Sequence, residues 1–503
     1  MDYFASLWGN IVLGFGTASS LSNLMYCLIG VGMGTVVGIV PGLGSMAAIS
    51  LLLPITFHID PTSALIMLAG IWYGTTFGGS TASILLNLPG TASNAVTCLD
   101  GYPMTKQGRG AVALFMTTIA SFFGGSIGIV LLMLLSPVIA GYALNFGSTE
   151  YFALMVMGLV VASSVSGGSF LKGMAMVLVG IAFGTVGLDI YTGAARFTGG
   201  SFHLADGIKL IALAMGLFGV AEIVSSIGLV RGRTKLPPVT MGAMLPTKDE
   251  ARASVGPLLR GAGIGSFFGT LPGTGPSIAA FMAYAVEKAR SRTPERFGNG
   301  AMEGIVAPES ANNAADQTAF IPTLSLGIPG SATMALMLGA LIMHGITPGP
   351  QLIVREPGLF WGLVMSFWIG NLLLLILNIP LIGVFVKILA VPYNILVPIV
   401  LTFICIGAYS VGQVATDVYM VLFFGLLGYG MRLLALPAAP LLLGFVLGPL
   451  MEEHFRRSML IARGDAMTFL ERPISATILA VTVAYLLWMA VAALRRRGQE
   501  ATA

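Results

Sequence analysis

Charge is what this chain lacks. Only 9% of its 503 residues are Asp, Glu, Lys or Arg, where soluble domains carry about 25%. Hydrophobic residues make up 56%, and the mean hydropathy is +0.90. No soluble fold covers that much apolar surface, so lipid is the expected solvent for most of the chain. Cysteine is scarce too. Cys27, Cys98 and Cys405 lie in apolar segments without metal-like spacing, which excludes a disulfide framework and reads as packing. The four histidines, His58, His203, His344 and His454, are scattered and lack ligand spacing. A net charge of +4 reflects basic cytoplasmic loops and no nucleic-acid partner. The opening stretch, MDYFASLWGNIVLGFG, has no basic n-region and reads as part of the mature protein.

Glycine (66) and proline (26) are plentiful, as expected where helices approach closely and are broken on purpose. Apolar stretches recur from about residue 21 to 494, among them 111–136, 151–166, 170–188, 207–230, 359–390, 393–410, 417–431, 434–450 and 474–494. Windows of about 20 residues give about twelve membrane segments, several of them short or interrupted by Gly and Pro. The fold class expected is an all-α polytopic membrane protein forming one integral membrane domain over 1–503.

Basic residues orient the loops. None occurs in 1–105, whereas 231–260 holds Arg231, Arg233, Lys235, Lys248, Arg252 and Arg260, and 288–296 holds Lys288, Arg290, Arg292 and Arg296. Both basic stretches belong in the cytoplasm, yet a single apolar stretch, 261–285, separates them. A hairpin broken at Pro272-Gly273, which dips in and returns, resolves the conflict. The earlier copy at Pro41-Gly42 has no basic flank and enters from the other side. Near the C-terminus, Arg456, Arg457, Arg463 and Arg472 precede the last span and Arg495, Arg496 and Arg497 follow it. Either one group violates the charge rule or 452–472 lies flat at an interface.

The repetition extends further. LLNLPGTAS at 85–93 is echoed by SLGIPGSAT at 325–333, with Pro89 48 residues after Pro41 and Pro329 57 residues after Pro272. Paired Pro-Gly breaks at similar separation point to inverted repeats, 20–140 and 255–390, followed by C-terminal membrane segments 391–503, with a binding site where the broken helices meet. The tips near Gly42 and Gly273 are expected to approach each other.

GTLPGTGPS at 269–277 superficially suggests a phosphate loop, but it has no Lys and sits in a membrane segment, so a nucleotide site is excluded. The underlying physics survives. A helix restarting after a break presents free N–H groups and partial positive charge, which hold an anion without Arg or Lys. The candidate substrate-binding residues are Gly42, Gly44, Ser45, Asn87, Thr91, Ser93, Gly273, Thr274, Ser277 and Ser331, with Thr333 nearby. YGTTFGGSTASILLN (73–87) adds hydroxyls including Thr76 and Ser80. APESANNAADQTAFIPT (307–323) contains Glu309, Asn312, Asn313 and Asp316, candidates for coupling to Na⁺ or H⁺ if they lie at membrane depth. A surface loop and helix capping are the structural alternatives. Trp72, Trp361 and Trp368 read as packing or belt residues.

The set GIVPGLG, YGTTFGGSTASILLNLPGTAS, LDGYPMTKQGRG, GTLPGTGPSIAAFMAYAVEK, GAMEGIVAPESANNAADQTAFIPTLSLGIPGSA and HGITPGPQL resembles the large membrane subunit (TctA) of tripartite tricarboxylate transporters. The resemblance implies a secondary carrier of the bacterial inner membrane. Its partners would be a small four-span membrane subunit and a periplasmic substrate-binding protein, and carboxylate import would be driven by Na⁺ or H⁺, with no other cofactor. The alternatives are a solitary ion-coupled anion carrier that needs no binding protein, a channel, and an intramembrane enzyme. A channel needs a continuous polar lining, and an enzyme needs a nucleophile–base or metal constellation. No His-Glu-x-x-His occurs, and Asp189 and Asp206 are isolated in sequence.

Overall fold

A computed structural model of the chain describes residues 2–40, 43–165, 169–189, 191–226, 241–271, 274–381, 383–384 and 393–500. The chain opens with α1 (Asp2–Ala18) and α2 (Leu21–Ile39). It then breaks and restarts as α3 (Gly44–Thr56), followed by the long α4 (Pro61–Leu86). Asp60 caps α4 by accepting the N–H groups of Thr62 and Ser63 at 3.0 and 3.3 Å, and Pro61 pre-sets the first turn. A second break leads through a 3₁₀ turn (Ala92–Ala95) into α5 (Thr97–Lys106) and α6 (Gly110–Ala143). Then come α7 (Ser148–Val165), α8 (Phe170–Gly184), α9 (Leu210–Ala214) and α10 (Ala221–Ser226), the last two joined by a π-type turn over Met215–Val220. Between α8 and α9, Gly187–Leu188 pairs antiparallel with Ala195–Arg196, the only strands among the described residues.

The pattern of breaks recurs with α11 (Lys248–Thr270), α12 (Gly275–Arg290), α13 (Glu303–Thr318), α14 (Phe320–Leu326), α15 (Ala332–Met343), α16 (Gln351–Arg355) and α17 (Pro357–Asn378). The C-terminal part comprises α18 (Tyr393–Gly412), α19 (Ala415–Leu433), α20 (Ala438–Ile461), α21 (Thr468–Glu471) and α22 (Pro473–Glu500). The polar stretch before the second hairpin is not all loop. Thr247 and Glu250 form a reciprocal capping box, so α11 starts at Lys248 and carries Arg252 and Arg260. Arg231, Arg233 and Lys235 lie outside the described residues.

Among the described residues, Leu21–Ile39, Gly110–Ala143 and Pro357–Asn378 are long and apolar enough to cross a membrane, and seven shorter apolar helices accompany them. The architecture is that of a helical membrane protein. Its residues pack as two compact units, Met1–Gly141 with Lys209–Leu434, and Tyr142–Ile208 with Ala435–Ala503. In the smaller unit, α8 and α20 meet at Gly180 and Gly444, each against the other helix's backbone. Asp189 there accepts the N–H groups of Thr192 and Tyr191 and faces Arg456 and Arg196, which together hold its carboxyl down at about 2.

The larger unit contains both broken hairpins, built on matching contacts. A Cβ at Gly30, Gly34 or Gly38 of α2 would strike the carbonyl oxygen of Met67, Ile71 or Thr75 on α4. On α11, Gly261, Gly265 and Gly269 stand in the same relation to the carbonyls of Ala307, Ala311 and Ala315 on α13. Small residues at every fourth position let the backbones touch. The helix ends match as well. Asn87 and Gly327, each two residues before a Pro-Gly, take left-handed backbone angles (φ 59° and 71°), as do Gly44 and Gly275 after the other two breaks (φ 61° and 65°). Gly90 lies against Gly38 O and Gly79, and Gly330 against Gly269 O and Ala319, the same contact made twice.

Between these glycines stand Gly32 and Gly263, which face open space. Gly34→Ala and Gly265→Ala should each destabilise by about 1–3 kcal/mol through overpacking. Gly32→Ala and Gly263→Ala should be neutral or gain up to about 1 kcal/mol from helix propensity. Melting of the four purified variants in detergent measures this; equal effects within a pair would show that the close approach does not exist.

Candidate functional site

The helices α2, α4, α11 and α14 end two or three residues before a Pro-Gly in the sequence, and the chain restarts within a few residues. The larger unit gathers these restarts around one cavity of about 430 Å³. Leu43, Gly44 and Ser45 come from the first break, Pro89, Gly90, Thr91 and Ser93 from the second, Gly275, Pro276 and Ser277 from the third, and Ser331, Ala332 and Thr333 from the fourth. The size suits a small molecule. At the fourth restart the Ser331 hydroxyl accepts the Met334 N–H at 3.2 Å, capping α15.

Of the ten residues the sequence nominates for substrate, Gly44, Ser45, Thr91, Ser93, Ser277 and Ser331 line this cavity. Gly42 and Gly273 lie outside the described residues. Asn87 and Thr274 are not in the lining. Asn87 is exposed and ends α4 in a left-handed cap. Thr274 turns its hydroxyl to the carbonyls of Phe268 and Leu271, closing the break that it follows.

The four residues nominated for ion coupling share α13, which is buried from Gly304 to Thr318 and is not a surface loop. Its alanine stripe, Ala307, Ala311 and Ala315, packs with Ile264 and Phe268 of α11. That leaves Glu309, Asn313 and Asp316, spaced i, i+4 and i+7 on one helix face, to meet the first half. The Glu309 carboxylate accepts from neutral donors throughout: Thr97 Oγ1 at 2.5 Å and Asn94 Nδ2 at 3.1 Å on one oxygen, Ser80 at 2.8 Å and Ser121 at 3.3 Å on the other. Asn313 Nδ2 donates to Ser121 at 2.7 Å. Thr76 Oγ1 donates to Asp316 Oδ2 at 3.0 Å. Asp316 Oδ1 and both polar atoms of Asn312 are buried with no hydrogen-bond partner among the described protein groups, a costly arrangement.

Two hydroxyls connect the cavity to these acids. Thr76 both lines the cavity and donates to Asp316. Thr91, also in the lining, donates to Asn94 Oδ1 at 2.5 Å, and Asn94 passes the contact on to Glu309. Trp72, read from sequence as packing, stands in the cavity wall as well.

The motif GYPMTKQGRG lies on the same unit, next to a clamp. Asp100 Oδ1 accepts three backbone N–H groups, from Gly298, Gly300 and Ala301 at 2.8–2.9 Å, fastening the loop before α13 to α5. Gly124-Gly125-Ser126-Ile127-Gly128 fits the spacing of a serine-nucleophile elbow, but Ser126 lies inside α6 and donates to Phe122 O at 2.8 Å. A strand–turn–helix setting is therefore missing there. Sequence reasoning overlooked the two charged cavity residues, Glu222 of α10 and Arg432 of α19. The available signal was an ionisable side chain inside or at the end of an apolar stretch.

A polytopic helical protein whose broken helices converge on one cavity, backed by buried carboxylates, belongs to the class of membrane transport proteins. Residues 24–443 match the tripartite tricarboxylate transporter TctA family. The chain belongs to that family, which supplies the large subunit of tripartite tricarboxylate transporters. It is 50% identical over 478 residues to an uncharacterized 52.8 kDa protein of Agrobacterium vitis from the TAR-I ttuC' 3' region, with 95% of each chain covered. A second Agrobacterium vitis protein, from the TAR-II ttuC' 3' region and also uncharacterized, is 55% identical over 215 residues, covering 43% of this chain and 89% of its own. No solved structure matches.

Glu309 provides a direct test of the seam. In Glu309→Gln, the new amide can donate to Ser80, whose own hydroxyl turns to Thr76 O, 3.2 Å away. In Glu309→Ala, Thr97 loses the carboxylate as acceptor and Asn94 is left with Ser80 Oγ, 3.0 Å away. Melting in detergent should show Glu309→Gln within about 1 kcal/mol of the unaltered chain and Glu309→Ala lower by about 2–4 kcal/mol. The reverse order would contradict the hydrogen-bond network described.

Proposed function

We propose that this chain is the permease subunit of a binding-protein-dependent secondary transporter that imports carboxylates across the bacterial inner membrane, driven by Na⁺ or H⁺. The observation that carries the reading is a cavity lined by residues from all four breaks. Helix starts of this kind present N–H groups and positive dipole ends, which suit an anion. Family membership supports a small membrane subunit and a periplasmic binding protein as partners.

In this reading the two halves are repeats of opposite orientation, and about twelve segments cross the bilayer. Thr76 and Asp316 each stand 11 residues before their matching left-handed caps, Asn87 and Gly327. That two equivalent positions touch each other supports a pseudo-two-fold axis passing between them. α4 and α13 run antiparallel there, because Ser80 meets Glu309 while Thr76 meets Asp316.

The coupling cation, Na⁺ or H⁺, is taken at Asp316, whose Oδ1 is buried without a hydrogen-bond partner among the described residues. Concentrating an anion against a negative-inside potential costs about 2.3 kcal/mol per charge per 100 mV, so a co-transported cation is needed. Thr76 reports carboxylate binding in the cavity to that acid. Glu309, which already has four donors, holds the halves in register.

Uptake of labelled citrate and C4 dicarboxylates by cells carrying all three components, measured against external Na⁺ and pH, tests this. Asp316→Asn should lower uptake by about tenfold or more, equivalent to at least 1.4 kcal/mol, and abolish its dependence on the cation. Thr76→Val should keep uptake but weaken that dependence. Cation dependence unchanged in Asp316→Asn would remove the residue from the coupling role.

A further inference from the structure

The cavity is built from hydroxyls, glycines and apolar groups, with two exceptions. Glu222 and Arg432 are the only charged side chains among the described residues that line it. They are ion-paired with each other through Arg432 Nη2, and Arg432 Nη1 donates to Ser225 Oγ. Their positions follow from packing. Gly216 of the π-type turn lies against Val421 and Phe424, and Gly428 lies against Leu217 and Ala221, so α10 and the end of α19 are held face to face. A π-type turn immediately before Glu222 is costly in a helix and is frequent at functional sites.

On the reading that the cavity takes a carboxylate, we propose that Arg432 is the substrate's charged counterpart and that Glu222 is an internal carboxylate occupying it until substrate arrives. A guanidinium recognises a carboxylate through a planar fork of donors. Glu222 presents the same chemical group that a di- or tricarboxylate would bring. Binding is then an exchange of one carboxylate for another at Arg432, while the helix starts hold the remaining carboxyl groups. The exchange keeps the arginine compensated when the cavity is empty and weakens substrate affinity, as release requires.

A second ion pair on the same helix set provides the control. Lys209 Nζ and Asp417 Oδ2 lie 2.7 Å apart, and neither residue lines the cavity. A pair that only ties α19 to its neighbours would respond to mutation as that one does, losing stability from either side. Competition predicts opposite effects of the two partners on affinity.

The test is carboxylate-dependent melting of the purified chain in detergent, with citrate and succinate as separate probes at constant ionic strength. Glu222→Gln should lower the half-saturating concentration about tenfold, and Arg432→Gln should raise it about tenfold or more, the scale of one charge-assisted bond. Asp417→Asn should lower the melting temperature and leave half-saturation within about twofold. If both cavity variants shift affinity in the same direction, or neither does while the unaltered chain responds, the exchange is wrong and the carboxylate reading stands. If the unaltered chain responds to neither probe, the carboxylate reading falls with it. Should Arg432→Gln not fold, Glu222→Gln decides alone: tighter binding supports the exchange, and unchanged or weaker binding overturns it.

Discussion

Backbone contact between helices is the constraint from which the rest of the larger unit follows. Gly30, Gly34 and Gly38, and in the second half Gly261, Gly265 and Gly269, leave no room for a side chain against the carbonyls opposite. Two helices pressed together over that length cannot slide or rotate without a clash, so the height at which each one breaks is fixed. Gly38 and Gly269 both stand three residues before a Pro-Gly. The breaks are thereby set at equivalent places, and Gly90 and Gly330 close over them by the same contact. These contacts position the breaks within each half, and the bonds from Thr76, Ser80, Thr97 and Ser121 to Asp316 and Glu309 join one half to the other.

Rigid hairpins alone would give a static protein. The surface between the halves is of a different kind, a polar seam in which Glu309 receives hydroxyls and an amide and, among the described residues, no cation. Neutral donors that can rotate, such as Ser80 and Ser121, serve a charged or a protonated carboxyl with little rearrangement. Asp316 is less well provided for, with one oxygen bonded to Thr76 and the other without a partner among the described residues. The contrast between a satisfied acid and a half-satisfied one is the reason for assigning register to the first and cation coupling to the second.

The breaks were legible because Pro-Gly acts locally, and so were the serines and threonines that follow them. The acids of 307–318 were legible as chemistry, but their burial was not, since the hydrogen bonds that satisfy them come from α4, α5 and α6 and from the turn before α5, 188–240 residues away. Asn87 stands outside the cavity lining for a related reason. A polar residue beside Pro-Gly looks like a ligand until its left-handed backbone shows that it ends a helix. Arg432 was hidden by surroundings that read as generic apolar sequence. The glycine spacing GVGMGTVVGIVPG, repeated as GAGIGSFFGTLPG, was present to be read. Which glycines in it touch a neighbour is decided by helix rotation, which spacing alone does not give.

The central claim is that one carboxylate site is shared by breaks far apart in sequence. Single cysteines at Ser45, Ser277, Ser331 and Asn87, in a chain whose three native cysteines are replaced, can be labelled with a small maleimide in the presence and absence of citrate or succinate. The account predicts that one carboxylate slows labelling at the three cavity positions together, over one concentration range, and leaves the exposed Asn87 position unaffected. Protection at only one break, or equal protection at Asn87, would contradict it.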